Sequence, residues 1–186
     1  MSRPYSSVSL IGMPACGKST VGRRLAASLA LRFVDGDALI EQRQGRRLSE
    51  ILAERGYLGL RDIEEQVLLG EDFHGAVLAT GGSAVYSDAV MAALRRSGVI
   101  IFIDAPLAAL RARLGDFAAR GVACPPGTGL DELFAERYPR YQRAADIHID
   151  ATGMDEDALL AALQHALLRW HDNQRPLRLP AGSDKE

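Results

Sequence analysis

The chain has 186 residues, a formal net charge of −2 and a hydrophobic fraction of 47%, which suits one globular domain with a buried core. This charge balance gives no reason to expect nucleic acid or an anionic membrane as a partner, and no apolar run is long enough to cross a bilayer. The two cysteines, Cys16 and Cys124, form neither a metal-ligand spacing nor a disulfide framework. Together with a start that lacks a signal-peptide pattern, these features predict a cytoplasmic protein.

Short apolar runs alternate with amphipathic helical patterns along the chain. The predicted strands cover residues 8–11, 32–34, 76–79, 99–103 and 147–149. The predicted helices cover residues 18–29, 48–53, 58–69, 89–96, 107–114, 130–144 and 155–170. Such an alternation is typical of an α/β protein in which helices cover both faces of a parallel sheet.

Two stretches fall outside this alternation. Residues 115–129 contain four glycines and Pro125-Pro126, which predicts a long irregular loop, and such loops in compact domains are usually functional or disordered. With no apolar periodicity, this loop is expected to have little to pack against when no ligand is bound. Residues 172–186, with Pro176, Pro180 and Gly182, are predicted to form a flexible tail, which leaves a single domain over residues 1–171.

The segment between the first strand and the first helix carries the pattern G-x-x-x-x-G-K-[ST]. Glycines let the backbone wrap around phosphate oxygens, and the helix that follows adds the positive end of its dipole. Because the strand and helix that the mechanism requires are both present, the pattern predicts binding of ATP with Mg²⁺. Lys18 is expected to contact the β- and γ-phosphates, and the Ser19 hydroxyl to ligate Mg²⁺. The residues predicted to bind the nucleotide here are Gly12, Pro14, Ala15, Cys16, Gly17, Lys18, Ser19 and Thr20.

Two carboxylates follow the second predicted strand, in the sequence Asp35-Gly36-Asp37. In open α/β sheets ligands bind at the carboxyl ends of the strands. One carboxylate is therefore expected to hold the metal or its water, and the other to accept a hydrogen bond from a hydroxyl group. An isolated D-x-D is as often an ordinary turn, but its position one helix after a phosphate loop favours a site.

Two further features allow more than one interpretation. Gly81-Gly82-Ser83 follows the third strand, where consecutive glycines indicate either a close approach of the backbone to a ligand or a tight turn. Arg61 and Glu64 lie one turn apart on a predicted helix, where a solvent-exposed ion pair is the usual arrangement.

The order of these motifs resembles that of the shikimate kinase family from about residue 8 to residue 170. The resemblance includes the phosphate loop, residues 33–45 with the D-x-D, residues 60–65, Gly81-Gly82 and residues 137–141. It implies a P-loop kinase fold of the nucleoside-monophosphate-kinase type, in which helices flank a five-stranded parallel sheet and residues 115–129 form a mobile lid. It also implies an ATP-dependent kinase that transfers the γ-phosphate to a hydroxyl group of shikimate.

In the nucleotide half, the resemblance implies that Asp35 holds Mg²⁺ through water beside Ser19. Arg113 matches the arginine that lies on the adenine, and Arg120 matches the lid arginine that reaches the transferring phosphate. Lys18 and Arg120 are thereby implied in catalysis, which in such kinases consists of positioning and charge stabilisation.

In the acceptor half, the resemblance implies that Asp37 binds substrate hydroxyls and takes the proton of the attacking one. Arg61 and Arg137 match the pair that grips the substrate carboxylate, a task suited to planar guanidinium groups. Gly81 and Gly82 match the backbone that contacts the substrate. The expected partner is a small hydroxy acid, and the protein is expected to be a monomer.

Three departures from the family pattern lie around the acceptor. Ser83 stands at the usual third glycine, where it would be strained if the site requires a positive φ. Leu60 replaces an aromatic residue before the substrate arginine, and residues 120–126 read Arg-Gly-Val-Ala-Cys-Pro-Pro where Arg-Pro-Leu-Leu is common. Two alternatives therefore stay open. One is a related kinase that acts on another hydroxy acid, an aminated analogue or a sugar acid; the other is a regulatory nucleotide-binding domain without turnover, which would have no need of Asp37.

Overall fold

The computed structural model describes residues 7–115 and 120–174. Its strands are β1 (Val8–Ile11), β2 (Arg32–Asp35), β3 (Ala76–Ala79), β4 (Val99–Asp104) and β5 (Ile147–Asp150). Its α-helices are α1 (Lys18–Ser28), α2 (Gly36–Gln44), α3 (Leu48–Leu69), α4 (Asp88–Ser97), α5 (Leu107–Leu114), α6 (Leu130–Ala144) and α7 (Glu156–Gln174). A short 3₁₀ helix covers Ala84–Tyr86.

The five strands form one parallel sheet in the order β2-β3-β1-β4-β5. Leu10 in the central strand β1 pairs with Ala79 on one side and Ile101 on the other. The chain runs outward from β1 to β2, returns to β3 beside β1, and then crosses to β4 on the opposite side. The loop after β1 consequently lies where the strand order reverses, which is the usual ligand position in open α/β sheets.

Two hydrophobic clusters hold the elements in place. The larger cluster surrounds the sheet, because every residue of β1 and β3 is buried and both faces are covered. The smaller cluster joins α2, α3 and the loop before α6, and it consists of Ile40, Leu48, Ile51, Leu60 and Ala123. This second cluster matters for function because it lies beside the carboxyl edge of the sheet.

The structure confirms the predicted fold class and all five strands, whose bounds agree to within one residue. Helix α2 was missed, because its apolar residues are consecutive (Ala38, Leu39 and Ile40) and show no helical spacing. The predicted helices at 48–53 and 58–69 form the single element α3, in which Gly56 has a non-helical conformation with φ of 70°. Helix α7 continues to Gln174, beyond the predicted domain boundary at residue 171. The rest of the predicted tail, residues 175–186, lies outside the described residues.

Within the described ranges, no helix has both the length and the apolar character needed to span a membrane.

Candidate active site

A cavity of about 690 Å³ opens at the carboxyl edge of the sheet. It joins the loop after β1 to side chains from α2, α3 and α6. Among the residues predicted from the sequence, the cavity is lined by Pro14, Ala15, Cys16, Gly17, Lys18, Ser19, Thr20, Asp37, Gly82, Arg113, Arg120 and Arg137. Arg61 lines a smaller neighbouring cavity of about 330 Å³. Gly12, Asp35 and Gly81 are not among the residues that line either cavity.

The backbone of the phosphate loop requires glycine at two positions. Gly12 has a φ of 145°, and a Cβ atom there would lie 2.7 Å from the carbonyl oxygen of Ile103 in β4. Gly17 has a φ of 99° and precedes the first turn of α1 without a side-chain cap. The first N–H groups of α1 therefore remain open to an anionic ligand, and the helix dipole adds to their attraction.

Lys18 lies over this loop and is only 7% exposed. Its ammonium group donates hydrogen bonds to the carbonyl oxygens of Gly12 and Met13, each at 2.9 Å. Both partners are neutral, so the positive charge of Lys18 is held at the cavity wall and can attract phosphate.

The two carboxylates of the D-x-D take different positions. Asp35 caps α2, because its Oδ1 accepts hydrogen bonds from the backbone N–H groups of Asp37 at 3.1 Å and Ala38 at 3.3 Å. Asp37 lies in the first turn of α2 and lines the cavity. Asp37 as a residue is exposed, but nearby protein atoms desolvate its carboxyl group and raise its pKa, although Lys18 opposes the shift. Asp37 is therefore a better proton acceptor than an ordinary surface aspartate.

Arg61 and Arg137 converge on the carbonyl group of Ala123, which lines the larger cavity. Arg137 on α6 is completely buried, contrary to the usual surface position of arginine. The Nη2 atoms of Arg61 and Arg137 donate to the same carbonyl oxygen, that of Ala123, at 3.0 Å and 2.9 Å. Arg61 Nε and Arg137 Nε and Nη1 are buried without a hydrogen-bond partner among the described residues. One neutral oxygen cannot satisfy both the buried guanidinium group of Arg137 and the partly buried one of Arg61, so this region is suited to an anion.

Gly81 and Gly82 allow the backbone to approach these polar groups closely. A Cβ atom on Gly81 would lie 2.3 Å from Glu64 Oε1 and 2.7 Å from Asp37 Oδ1. A Cβ atom on Gly82 would lie 2.8 Å from Arg137 Nη1 and 2.9 Å from Pro14 Cδ. The double glycine thus leaves room for the protein's own polar side chains beside the backbone, and contact of this backbone with a ligand stays a prediction.

Glu64 is a site residue that the sequence analysis missed. The predicted solvent-exposed ion pair with Arg61 is wrong, because Glu64 is 3% exposed and its Oε2 accepts a hydrogen bond from the Ser83 hydroxyl at 2.5 Å. Burial raises its pKa to about 7, although the Ser83 hydrogen bond opposes this shift. Helical spacing could have revealed the burial, since Glu64 lies four residues from the buried Leu60 and Leu68 on one face of α3.

The structure also explains two departures from the family pattern. Ser83 has a φ of −94°, so the strain expected from a positive φ does not arise. Leu60 packs in the smaller core cluster. Aromatic contact to Arg61 comes instead from Tyr86 and Tyr57, whose ring centroids lie 3.5 Å and 5.1 Å from the guanidinium carbon.

The described part of the predicted lid is docked onto α3. Val122 and Ala123 are 7% and 3% exposed, so the expectation that the loop has little to pack against is wrong for these residues. Gly121 has a φ of 65°, and a Cβ atom there would lie 2.5 Å from Leu48 Cβ. Proline cannot adopt this φ, so the backbone here must differ from that of family members with proline at this position. Arg120 Nη2 donates to the carbonyl oxygen of Arg113 at 3.0 Å; residues 116–119 of the lid lie outside the described residues.

The strand order, the phosphate loop after the central strand and the arginine-lined cavity together define a P-loop kinase of the small-molecule type.

Comparison with known proteins specifies the family. The family model described as "SKI: Shikimate kinase" matches residues 14–167, and the chain belongs to the shikimate kinase family. The shikimate kinase of Mycobacterium avium is 40% identical over 154 residues, which cover 81% of this chain and 87% of the relative. The shikimate kinase of Mycobacterium ulcerans is 33% identical over 94% of this chain and 96% of its own length.

A solved structure shows the same similarity. The shikimate kinase of Acinetobacter baumannii, in complex with shikimate, superimposes with a TM-score of 0.79 at 27% identity. The match covers 92% of this chain and 96% of that one. The predicted family, fold and enzyme class are thus confirmed, and the chain is an ATP-dependent kinase of this family.

Proposed function

We propose that this protein transfers the γ-phosphate of ATP to a hydroxyl group of shikimate. The observation that carries the proposal is the convergence of Arg61 and Arg137 on the carbonyl oxygen of Ala123, a residue that lines the same cavity as the phosphate loop. This arrangement fits a small molecule that carries both a carboxylate and a hydroxyl group. The Acinetobacter baumannii relative, whose structure contains shikimate, supports the choice of acceptor.

In the nucleotide half, we propose that the loop amides and Lys18 hold the phosphates of ATP, while Arg113 lies against the adenine. The Ser19 hydroxyl and the Asp35 carboxylate fit Mg²⁺, which prefers oxygen ligands. Only Oδ1 of Asp35 is used to cap α2, so the second carboxyl oxygen can hold a metal-bound water. When bound, Mg²⁺ would neutralise charge on the phosphate oxygens.

For the transfer step, we propose that Asp37 accepts the proton of the attacking hydroxyl group. The oxygen of that hydroxyl forms a bond to the γ-phosphorus as the bond to the β–γ bridging oxygen breaks, and ADP leaves. Lys18 and Arg120 stabilise the charge on the transferring group, as expected for a reaction governed by positioning and electrostatics. The raised pKa of Asp37 is consistent with this role.

For the acceptor, we propose that its carboxylate replaces or joins the Ala123 carbonyl as the partner of Arg61 and Arg137. The unpartnered Nε and Nη1 atoms of Arg137 supply further donors at this point. Gly81 and Gly82 leave the backbone free to approach the ring of the acceptor, and residues 115–129 act as the lid of a single kinase domain.

The decisive measurement compares shikimate with its methyl ester as substrates of the wild-type enzyme. The ester keeps the hydroxyl groups and loses the negative charge. Its KM should be about ten- to a hundredfold higher than that of shikimate, because a charge-assisted hydrogen bond is lost. The KM for ATP is the internal control and should stay the same. Equal turnover of the two compounds would contradict the carboxylate clamp and indicate a neutral polyol as the acceptor.

A related acceptor is the second candidate, because the lid residues Gly121, Val122 and Ala123 are smaller than those usual in the family. We therefore propose a coupled-turnover screen over shikimate, other hydroxy acids, aminated analogues and sugar acids. The highest kcat/KM for shikimate would support the primary assignment. Absence of turnover with every acceptor would instead indicate a regulatory nucleotide-binding domain.

We further propose that the protein acts as a monomer in the cytoplasm, without nucleic acid or membrane as a partner. The net charge of −2 gives no electrostatic reason for a nucleic-acid or anionic-membrane partner, and the two free cysteines fit a reducing cytoplasm. Light scattering at micromolar concentration should give the mass of one 20.1 kDa chain; twice that mass would contradict the proposed monomer.

A further inference from the structure

The acceptor end of the cavity contains a buried polar pair, Ser83 and Glu64, to which the proposed mechanism gives no role. Ser83 follows the double glycine after β3, and Glu64 lies on α3; they are 9% and 3% exposed. The hydroxyl group of Ser83 donates to Glu64 Oε2 at 2.5 Å. Since the shikimate kinase pattern has glycine at this position, the hydrogen bond is a feature of this chain's own sequence.

The second carboxyl oxygen of Glu64 lies beside Gly81, next to the carboxyl group of Asp37. Glu64 lines the cavity, and its Oε1 is buried with no hydrogen-bond partner among the described residues. A Cβ atom added to Gly81 would lie within 3 Å of both Glu64 Oε1 and Asp37 Oδ1. The two carboxyl oxygens therefore lie on the same side of that glycine. An unpartnered buried oxygen is costly, and a hydroxyl group of a ligand would satisfy it.

Charged groups from three helices face the Glu64 carboxyl group: Asp37 from α2, Arg61 from α3 and Arg137 from α6. Burial favours the protonated form of Glu64, and the nearby Asp37 favours it further. The hydrogen bond from Ser83 and the two guanidinium groups favour the ionised form. These opposing influences leave the pKa of Glu64 at about 7, so small changes in its surroundings alter its charge at neutral pH.

We propose that Ser83 is a positioning residue, whose hydroxyl holds Oε2 of Glu64 and leaves Oε1 to accept a hydrogen bond from a hydroxyl group of the acceptor. An ionised carboxylate accepts at both oxygens, whereas a protonated one loses acceptor capacity. Ser83 occupies Oε2, which leaves Oε1 for the acceptor. This inference rests on the proposed function, because it assumes an acceptor that carries hydroxyl groups.

The kinetic test compares Ser83→Ala with the conservative Ser83→Thr. Ser83→Ala removes the donor, so at pH 7 the KM for shikimate should rise about tenfold while the KM for ATP stays unchanged. The defect should shrink at pH 9, where Glu64 ionises without help, and Ser83→Thr should restore the wild-type KM because it keeps the hydroxyl group. Ser83→Gly, which also lacks the hydroxyl group, should behave like Ser83→Ala. A defect of the same size from pH 6 to pH 9 would overturn the proposal and leave Ser83 a packing role.

A second measurement uses the ligand-free protein and is independent of the acceptor's identity. The carbon-13 resonance of the Glu64 carboxyl group, identified by its loss in Glu64→Gln, should titrate near pH 7 in the wild type and at higher pH in Ser83→Ala. An unshifted titration in Ser83→Ala would overturn the role of Ser83 whatever the acceptor is. Failure of the wild type to phosphorylate shikimate would overturn the assigned acceptor instead, so the two failures are distinguishable.

Discussion

The phosphate end and the acceptor end of the cavity are built in different ways. The phosphate end comes from one continuous segment, residues 12–20, whose geometry depends on backbone conformation at Gly12 and Gly17. The acceptor end is assembled from α2, α3, the loop after β3, α6 and the lid. Arg61 and Arg137 lie 62 and 14 residues from Ala123, the residue whose carbonyl oxygen they share.

This difference has consequences for how each end responds to change. A local loop keeps its shape independently of distant packing, so substitutions there should remove function and leave the fold intact. The acceptor end depends on buried charges held by several elements, so substitutions there should change affinity, pH dependence and stability together. Departures from the family pattern also lie at this end, at Leu60, Ser83 and Gly121.

The largest effect is expected from Lys18→Ala at the phosphate end. Loss of the ammonium group that meets the transferring phosphate should lower kcat/KM by about a thousandfold or more. The thermal melting transition should remain, because within the described residues the hydrogen bonds of Lys18 all go to the phosphate loop. Loss of that transition would show that Lys18 supports the fold, and the contrast between the two ends would then be wrong.

Asp37→Asn is expected to have the next largest effect. Removal of the proton acceptor should lower kcat about a hundredfold, with a smaller change in the KM for ATP. Asp35→Asn is the matched variant two residues away, and it should mainly raise the Mg²⁺ concentration needed for half-maximal rate. Wild-type turnover in both variants would mean that the D-x-D is an ordinary turn with no role in catalysis.

At the acceptor end, Arg61→Lys should raise the KM for shikimate about ten- to a hundredfold. Lysine keeps the charge but cannot donate from a planar group, so carboxylate recognition is lost while the KM for ATP is unchanged. Arg111→Lys is a matched control, because Arg111 is an exposed residue on α5 that pairs with Asp131. If Arg61→Lys raised the KM for shikimate and the KM for ATP equally, Arg61 would support the shape of the whole site and would not bind the acceptor specifically.

The pKa of Glu64 predicts a pH-dependent stability. Its pKa rises from 4.5 in the unfolded chain to about 7 in the fold, so the folded state binds more protons between these values and stability falls as pH rises through that window. Glu64→Gln lacks this dependence. The free energy of unfolding of the variant minus that of the wild type should therefore be larger at pH 8 than at pH 4.5, by on the order of 3 kcal/mol. Melting curves at both pH values measure the difference; an equal difference at both would mean that Glu64 is ionised throughout.

The smallest effect is expected from Gly121→Ala in the lid. Alanine at a φ of 65° is strained and would contact Leu48, at a cost of roughly 1–3 kcal/mol. Backbone amides of residues 121–124 should therefore exchange hydrogen faster than in the wild type, and an ATP analogue with shikimate should restore slow exchange. Gly127→Ala is the control, because Gly127 also has a positive φ but a Cβ atom there would meet no neighbour within 4 Å. Equal exchange in both variants would mean that docking on Leu48 does not hold the lid.

The sequence by itself determined the features that depend on neighbouring residues. Short apolar runs located all five strands, the G-x-x-x-x-G-K-[ST] pattern located the phosphate loop, and the order of motifs identified the family. Each is a local signal, because strand burial and loop conformation follow from a few consecutive residues. Helix α2 shows the limit of such signals, since Asp35 caps it through a side-chain contact and its apolar residues have no helical spacing.

Only the tertiary structure decided which charged side chains are buried at the acceptor end and which hydrogen-bond partners they have. Arg137 and Glu64 are charged residue types that usually lie at the surface, and their burial results from the packing of α6 and α3 against the loop after β3. Likewise, the docking of Ala123 and the conformation of Ser83 depend on residues distant in sequence. The physical reason is that a pKa and a hydrogen-bond partner depend on the atoms that surround a group in space, and the spacing of residues along the chain does not specify them.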